Sequence, residues 1–504
     1  MVELRQLGHG GQRRRLFAAD DPAAIGGIGV SDFHEAHPEY AATARLDELR
    51  AAEYRYLDEA GHVYLDYTGA GLAARWQLRE HTIRLCHGVY GNPHSENPTS
   101  SASTALIEET RAAILRWFNA DPGEYAVIFT PNATGACRLV GEAYPFWRQT
   151  RLVITTDNHN SVHGLREYAA RAGSEVAYVP ITGPELRVSD ADLFAAVGRG
   201  HGARPGLLAY PAQSNFTGVR HPLDWVGRAQ AAGYDVLLDV AAYVPTSRLD
   251  LSAVRPEFVT LSWYKMFGFP TGVGCLLARR DALARLRRPW FSGGTIAAVS
   301  AAAGWHQLAP GEAAFEDGTV NFLSIPDVAV GLEWIAGAGI DLIGQRTSML
   351  TSWLLDRLGR MRHSSGAPVA RVYGPANTVS RGATVALNFL DPAGRVVDER
   401  AVSRDASAAG ISLRTGCFCN PGAGEAAFGL DARDLAVARR VLETPGACMD
   451  DYLSLAGLPS GGAVRVSLGI ASTLDDVERF LDFAETTYRD RYPDLTRLAP
   501  RTGC

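Results

Sequence analysis

Cysteine is scarce in this 504-residue sequence, with seven residues at irregular spacing. An odd and scattered set is not a disulfide framework, so a reducing, cytoplasmic setting is expected. An excess of one charge is lacking too. Charged residues make 21% and the net charge is -6, which gives no reason to expect a nucleic-acid or anionic-membrane partner. There is no internal repeat and no low-complexity tract. Arg13, Arg14 and Arg15 with Leu16 and Phe17 resemble a twin-arginine export signal, but Asp20 and Asp21 follow and no apolar core comes after, so export is not expected. The apolar stretch Phe258 to Ala278 is not a membrane span, because Lys265 sits mid-segment and Gly268, Pro270 and Gly272 interrupt any helix.

What is present is a large α/β pattern. The length predicts two domains plus extensions: an arm over residues 1–50, a large domain over 51–325 and a small carboxy-terminal domain over 326–504. Within the arm, a helical pattern runs near Ala42 to Tyr56. Seven short β-prone runs follow at helix-and-loop spacing, at Val127–Thr130, Leu152–Thr155, Val176–Val179, Leu207–Tyr210, Val236–Leu238, Val259–Ser262 and Val273–Leu277. They predict a mostly parallel sheet. Phe322 to Ile343 reads as largely helical. Strands near Val369–Tyr373, Ala383–Phe389 and Ala463–Leu468 and a closing helix from Thr473 to Tyr488 predict a second α/β unit. Arg360 to Pro368 and Glu443 to Gly462 are the least regular parts.

Ligands of open α/β sheets sit beyond the carboxyl ends of the strands, and the chemistry-bearing residues follow the runs. Lys265 lies among apolar and glycine residues. Burial drives such an amine to lose its proton, and a neutral lysine is a nucleophile able to form a Schiff base with a carbonyl or with pyridoxal phosphate. The alternative is a stem lying on apolar surface with its head in water. Asp239 ends the fifth run; a carboxylate there needs a cation, such as a pyridinium nitrogen, or caps a helix. Asn132, Ala133 and Thr134 open a helix after the first run, either as a phosphate site or as ordinary capping. Without a Gly-Lys-Ser/Thr ending this turn is not a Walker loop. His159 suits stacking on a ring or proton transfer, or is a surface loop histidine. Asn215 offers an amide to a phenolic oxygen, while its neighbours Pro211 and Gly218 also suit a plain turn. Cys417 and Cys419 form one Cys-x-Cys pair without a companion, a weak zinc signal, so no metal site is expected. Arg414 favours a thiolate nearby, making Cys419 or Cys417 a candidate nucleophile; buried inert cysteines are the alternative. Arg465 is placed to fork a substrate carboxylate or to pair with an acidic side chain.

On YLDYTGAG (Tyr64–Gly71), GNPHSENPTS (Gly91–Ser100), Ile128–Gly141, YPAQSNFTG (Tyr210–Gly218), SWYKMFGFPTG (Ser262–Gly272), FEDGTVNFLS (Phe315–Ser324) and RTGCFCNPG (Arg414–Gly422), the sequence resembles the class V aminotransferase group of pyridoxal-phosphate enzymes. More narrowly it is similar to the amino-terminal cysteine-desulfurase part of molybdenum cofactor sulfurases. The resemblance implies a type I pyridoxal-phosphate fold with a seven-stranded sheet, pyridoxal 5'-phosphate as cofactor, and a homodimer with its sites at the interface. It also implies the roles: Lys265 as the Schiff-base lysine, Asp239 at the pyridine nitrogen, His159 stacked on the ring and Asn215 at the phenolic oxygen. Thr134 with the Ala133 turn holds the phosphate, completed by Thr295 of the other subunit, and Ser262 also binds the cofactor. Arg465, with Arg414, binds substrate, and Cys419 forms the persulfide. The implied activity takes sulfur from L-cysteine, releases alanine and hands the sulfur to an acceptor supplied in trans. Another reaction at an amino-acid Cα or Cβ, such as C–S lyase, decarboxylase, epimerase or aminotransferase chemistry, is the alternative. Three departures stand out: Ala242 where related desulfurases often have glutamine, Gly424 where the sulfurases usually have another cysteine, and the end at Cys504 without their further carboxy-terminal domain.

Overall fold

The computed structural model describes residues 27–198, 206–430, 432–443, 450–451, 453, 458, 460–496, 498 and 501. The basic triplet at Arg13, most of the first half of the arm, and much of Glu443 to Gly462 lie outside the described residues.

All seven expected runs are strands of one sheet: β1 Tyr125–Thr130, β2 Arg151–Thr155, β3 Glu175–Val179, β4 Gly206–Pro211, β5 Tyr234–Asp239, β6 Phe258–Ser262 and β7 Gly274–Arg279. Their order is β1-β7-β6-β5-β4-β2-β3, with β7 antiparallel to both neighbours and the pairs from β6 to β3 parallel. The continuous apolar character of six of the runs follows from burial on both faces, while the edge strand β3 exposes Glu175 and Tyr178. Side chains alternate across a strand: Val127, Val153, Leu208, Val236, Val259 and Cys275 join a core on one face. Their neighbours Ile128, Leu152, Leu207, Leu237, Phe258 and Leu276 join a separate core on the other.

The second unit holds an antiparallel sheet of order β8-β9-β11-β10, from β8 Ala370–Tyr373, β9 Thr384–Phe389, β10 Arg414–Gly416 and β11 Ala463–Ser467. The expected strands at 369, 383 and 463 are there. The fourth, β10, falls within what reads in sequence as an irregular cysteine loop. Val385, Leu387 and Phe389 alternate into a third core with Val464, Val466, Phe480 and Tyr488, which also takes in Phe33, Tyr40, Val63 and Leu65 from early in the chain. The closing helix runs Leu474–Tyr488, capped by Thr473, whose hydroxyl accepts from the Asp476 N–H. The stretch read as helical from Phe322 forms two helices instead, Pro326–Ala338 and Ile340–Arg360, broken at Gly339 with φ 93°. A hairpin of Ile296–Ser300 and Trp305–Leu308 carries no periodic signal strong enough to announce it. No helix among the described residues is long and apolar enough to cross a membrane.

Candidate active site

Five strand ends converge on one crevice. β6 runs directly into the short helix α2, Trp263–Phe267, which carries Lys265. Among the described residues the Lys265 amine has no hydrogen-bond or ion-pair partner. Burial, more than any other cause, lowers its pKa; Asp239 opposes the shift, while the Arg465 and Arg414 cations push it further down. Asp239 closes the neighbouring strand β5. Its Oδ1 accepts from the Ala241 N–H at 3.0 Å, and Oδ2 is left without a partner among the described residues. Burial raises its pKa, against the Ala241 N–H and Lys265. A carboxylate and an amine at adjacent strand ends, unpaired with each other and each short of a counter-charge, leave a gap suited to a ligand with a ring cation and a carbonyl.

The turn after β1 settles the capping question. Asn132 caps the helix α1, Ala133–Ala143, its Oδ1 accepting from Gly135 N–H at 3.0 Å. Ala133 N–H donates to the Ser262 Oγ at 2.8 Å, which ties the turn to the strand bearing Lys265. Thr134 is spared from capping; its backbone N–H has no acceptor among the described residues. Free N–H groups and a hydroxyl at a helix start form an anion site. The Thr134 and Ser161 hydroxyls are 2.7 Å apart, and Ser161 Oγ is 2.9 Å from His159 Nδ1. Nδ1 also accepts the Ser161 N–H at 3.1 Å, so it is the unprotonated nitrogen and the Ser161 hydroxyl donates to it. His159 is held neutral, its pKa pushed down to about 4 by burial first, then by the charges of Lys265, Arg465 and His163.

That shift has a measurable sign. The unfolded chain takes up the His159 proton near pH 6.5 and the folded one near 4, so stability falls as pH drops through that window. His159→Gln is expected to shallow this loss. Urea midpoints of the cofactor-free protein from pH 7 to 4 would show it, and identical slopes would refute it.

The His159 loop is anchored from beneath. Asn158 Nδ2 donates to the Thr155 and Ala209 carbonyls at 2.9 and 3.1 Å. Asp157 pairs with His221 at 2.8 Å, both side chains fully buried; burial pushes the Asp157 pKa up, but His221, the Thr155 hydrogen bond and the local backbone together hold it below its ordinary value. Removing one partner of a buried ion pair costs roughly 3–5 kcal/mol, so the pair anchors the loop.

The cysteine loop arrives from the second unit and docks on these same residues. Asn215 Nδ2 donates to the Phe418 carbonyl at 2.9 Å, Asn160 N–H to the Cys419 carbonyl at 2.7 Å, and Asn420 Nδ2 to both Asn215 Oδ1 and the Asp157 carbonyl at 2.8 and 2.7 Å. Close approach needs Gly422, where a Cβ would lie 2.1 Å from the Thr156 carbonyl oxygen. Phe418 and Cys419 adopt φ of 55° and 54°. Left-handed backbone costs about 1–2 kcal/mol per residue, and each docking hydrogen bond returns about 0.5–1.5 kcal/mol net. Burial of Phe418 in the core, against the Phe216 ring, adds to the docking side. The Cys419 thiol is exposed, while Cys417 is half-buried.

Asn420→Ala removes both donor contacts and the cap on Ala423 N–H. It is expected to lower stability by about 1–3 kcal/mol and to speed alkylation of Cys419. Thermal unfolding with peptide mass spectrometry checks both, and an unchanged alkylation rate would contradict the docking.

Arg465, on β11, is buried. Its Nη2 donates to Asp66 Oδ1 at 2.9 Å and Nη1 to the Asn215 carbonyl at 3.1 Å; its guanidinium lies 4.9 Å from the Phe418 ring centre, and Nε is buried without a partner among the described residues. Arg414 is half-exposed and bound to Asp66. Thr295 stands apart in this single chain. Its hydroxyl donates to the Ser292 carbonyl at 2.8 Å and accepts the Ser292 N–H at 2.9 Å, at the foot of the hairpin.

A model of the class V aminotransferase family matches residues 63–480. The chain belongs to this family. Bovine molybdenum cofactor sulfurase is 38% identical over 466 residues, covering 88% of this chain and 52% of the relative. The chain thus spans about half the length of the curated relatives it matches. Among solved structures, the apo cysteine desulfurase of Thermococcus onnurineus NA1 aligns with a TM-score of 0.70 at 22% identity, covering 87% of this chain and 97% of that one. A C-DES variant with glycine covalently linked to its PLP cofactor aligns at 0.65 and 18% identity, covering 86% and 98%. The class V family fold is therefore the mostly parallel seven-stranded sheet described above.

Sequence reasoning had missed Asp66, Ser161, Asn420 and the Asp157–His221 pair. Lys265 is the only lysine in the chain, beside 48 arginines.

Proposed function

We propose that the protein is a pyridoxal-phosphate-dependent cysteine desulfurase of the sulfurase type, passing sulfur from L-cysteine through Cys419 to an acceptor supplied in trans. The observation that carries this reading is the docking of the Cys419 loop, by its own backbone carbonyls, on Asn215 and Asn160 beside Lys265. A plain aminotransferase reaction has no use for a thiol delivered there.

The residues present fit the cofactor. The Thr134 N–H and hydroxyl with Ala133 and Ser262 suit its phosphate, Asp239 its ring nitrogen, the neutral His159 ring its face, the second Asn215 amide hydrogen its phenolic oxygen, and Lys265 its aldehyde. When bound, the cofactor withdraws electrons from the Cα of an attached amino acid and so weakens its bonds. Arg465, through its unpartnered Nε–H, holds the substrate carboxylate. Lys265, with its lowered pKa, accepts and returns protons at Cα, with neutral His159 as a second proton carrier. The Cys419 thiolate attacks the substrate sulfur: an S–S bond forms, the Cβ–S bond breaks, and Cβ takes a proton as alanine leaves. The persulfide remains on the protein.

Three further parts belong to the proposal. A homodimer would cover the exposed side chains Trp290, Phe291, Val299 and Trp305 around the hairpin and bring the turn of Thr295, whose side chain is buried in the single chain, up to the other subunit's phosphate site. The two separate sheets support a division at 51–325 and 326–504, with Val63 and Leu65 crossing it to join the second unit's core. Free thiols at all five described cysteines support a cytoplasmic setting. Mass spectrometry after brief exposure to L-cysteine is the test: one added sulfur on the Cys419 peptide with alanine released is expected, and neither product would end the reading.

A further inference from the structure

Strand register creates a problem at Arg414 and Arg465. They are direct Cα partners on the antiparallel pair β10 and β11, so two cations stand side by side, which is unfavourable without a counter-charge. The counter-charge comes from the early segment of the chain. Leu65 N–H donates to the Ser412 carbonyl and Ser467 N–H to the Leu65 carbonyl, both at 2.8 Å, which lays this segment between Ser412 and Ser467, beside the end of the β10–β11 pairing. Asp66 is thereby delivered between the arginines. Its Oδ1 accepts from Arg465 Nη2 at 2.9 Å, and its Oδ2 from Arg414 Nε at 3.0 Å and Nη2 at 2.6 Å. Gly69 permits the approach, since a Cβ there would lie 2.5 Å from both Arg414 Nη2 and Asp66 Oδ2.

Resting on the desulfurase reading above, we propose that Asp66 is a positioning residue that couples carboxylate recognition at Arg465 to the freedom of the Cys419 loop. Arg465 is tied to Asp66, to the Asn215 carbonyl and to the face of Phe418, the residue before Cys419. Arg414, five residues before Cys419, hangs on the other oxygen of the same carboxylate. An amino-acid carboxylate arriving at the free Nε–H of Arg465 competes with Asp66 for the guanidinium and draws it off the Phe418 ring. The loop loses one of its docking contacts at the moment a sulfur atom is present to be attacked. Asp66 also offsets part of the Arg465 charge, which keeps the bound carboxylate exchangeable.

The test uses the full chain loaded with pyridoxal phosphate and L-alanine as probe, an amino acid with the carboxylate and no sulfur. Two quantities are read: the L-alanine dissociation constant from the cofactor absorbance, and the rate of Cys419 alkylation by iodoacetamide from peptide mass spectrometry. In the wild type, L-alanine should speed alkylation several-fold. Asp66→Asn keeps the shape and removes the charge. It should tighten L-alanine binding about tenfold, a modest part of the Coulomb energy of an adjacent charge, and alkylate fast with or without L-alanine. A structural role alone would weaken binding instead. Arg414→Gln, which leaves the Asp66–Arg465 pair in place, should raise the basal alkylation rate and decides the matter if Asp66→Asn does not fold. The proposal is overturned if Asp66→Asn binds L-alanine no more tightly, or if both variants alkylate at the wild-type basal rate. Neither readout requires sulfur transfer, so this outcome is separate from the persulfide test of the function.

Discussion

Lys265→Ala is expected to lower turnover of L-cysteine by about 10³-fold or more, within the 10²–10⁴ that a positioned acid–base group contributes, and to abolish borohydride fixation of the cofactor to a lysine. The experiment is unusually clean because the chain has no other lysine. Any lysine-linked cofactor found by peptide mass spectrometry in the wild type must sit on Lys265. Wild-type turnover in the variant would sink the assignment. Stability should move the other way. The folded protein holds Lys265 below its ordinary pKa, chiefly through burial. Between the folded and unfolded values the unfolded chain binds the extra proton, so this residue costs stability progressively as pH falls from the unfolded lysine value toward the folded one. The cofactor-free alanine variant is therefore expected to melt no lower than the wild type at neutral pH. A lower midpoint would mean that the stem packing outweighs the charge.

Cys419→Ser should abolish the persulfide and cut alanine release by about 10²-fold or more, on the scale of a lost nucleophile in a covalent mechanism, while leaving the cofactor bound. The reason lies in how the loop is held. Its anchors are the carbonyls of Phe418 and Cys419 and the Asn420 side chain, none of which is the thiol, so serine preserves the docked backbone. Cofactor absorbance unchanged with persulfide absent is the expected pair of results. Persulfide found instead on Cys417 in the variant would reassign the nucleophile within the same loop.

The fold was legible because its signal is local. Six of the seven runs are short, apolar on both sides and bounded by turns, which is what a strand covered on both faces requires; the seventh, β3, is half-exposed at the sheet edge, and all seven entered one sheet. The hairpin at 296–308 escaped because its strands are largely exposed and carry no buried stripe. β10 escaped because three residues including a glycine carry no periodicity.

The site divides the same way. Lys265, Asp239, His159, Asn215 and Thr134 each follow a strand directly, and a strand end in a parallel sheet has a known destination. Asp66 bonds Arg414 and Arg465 across 348 and 399 residues, and Asn420 meets Asn215 across 205. No local pattern encodes such contacts, since they depend on how two separately formed sheets meet.

For Lys265, the sequence by itself determined that an amine would stand just past a buried strand, one strand from a carboxylate. Backbone periodicity and chain order suffice for that. Only the tertiary structure decided that the amine has no partner among the described residues, that Asn132 rather than Thr134 caps the helix after β1, and that a loop from the second unit sets Phe418 and Cys419 down on Asn215 and Asn160. Those outcomes turn on which polar groups remain unpaired after all others have found partners, a property of the whole packed molecule.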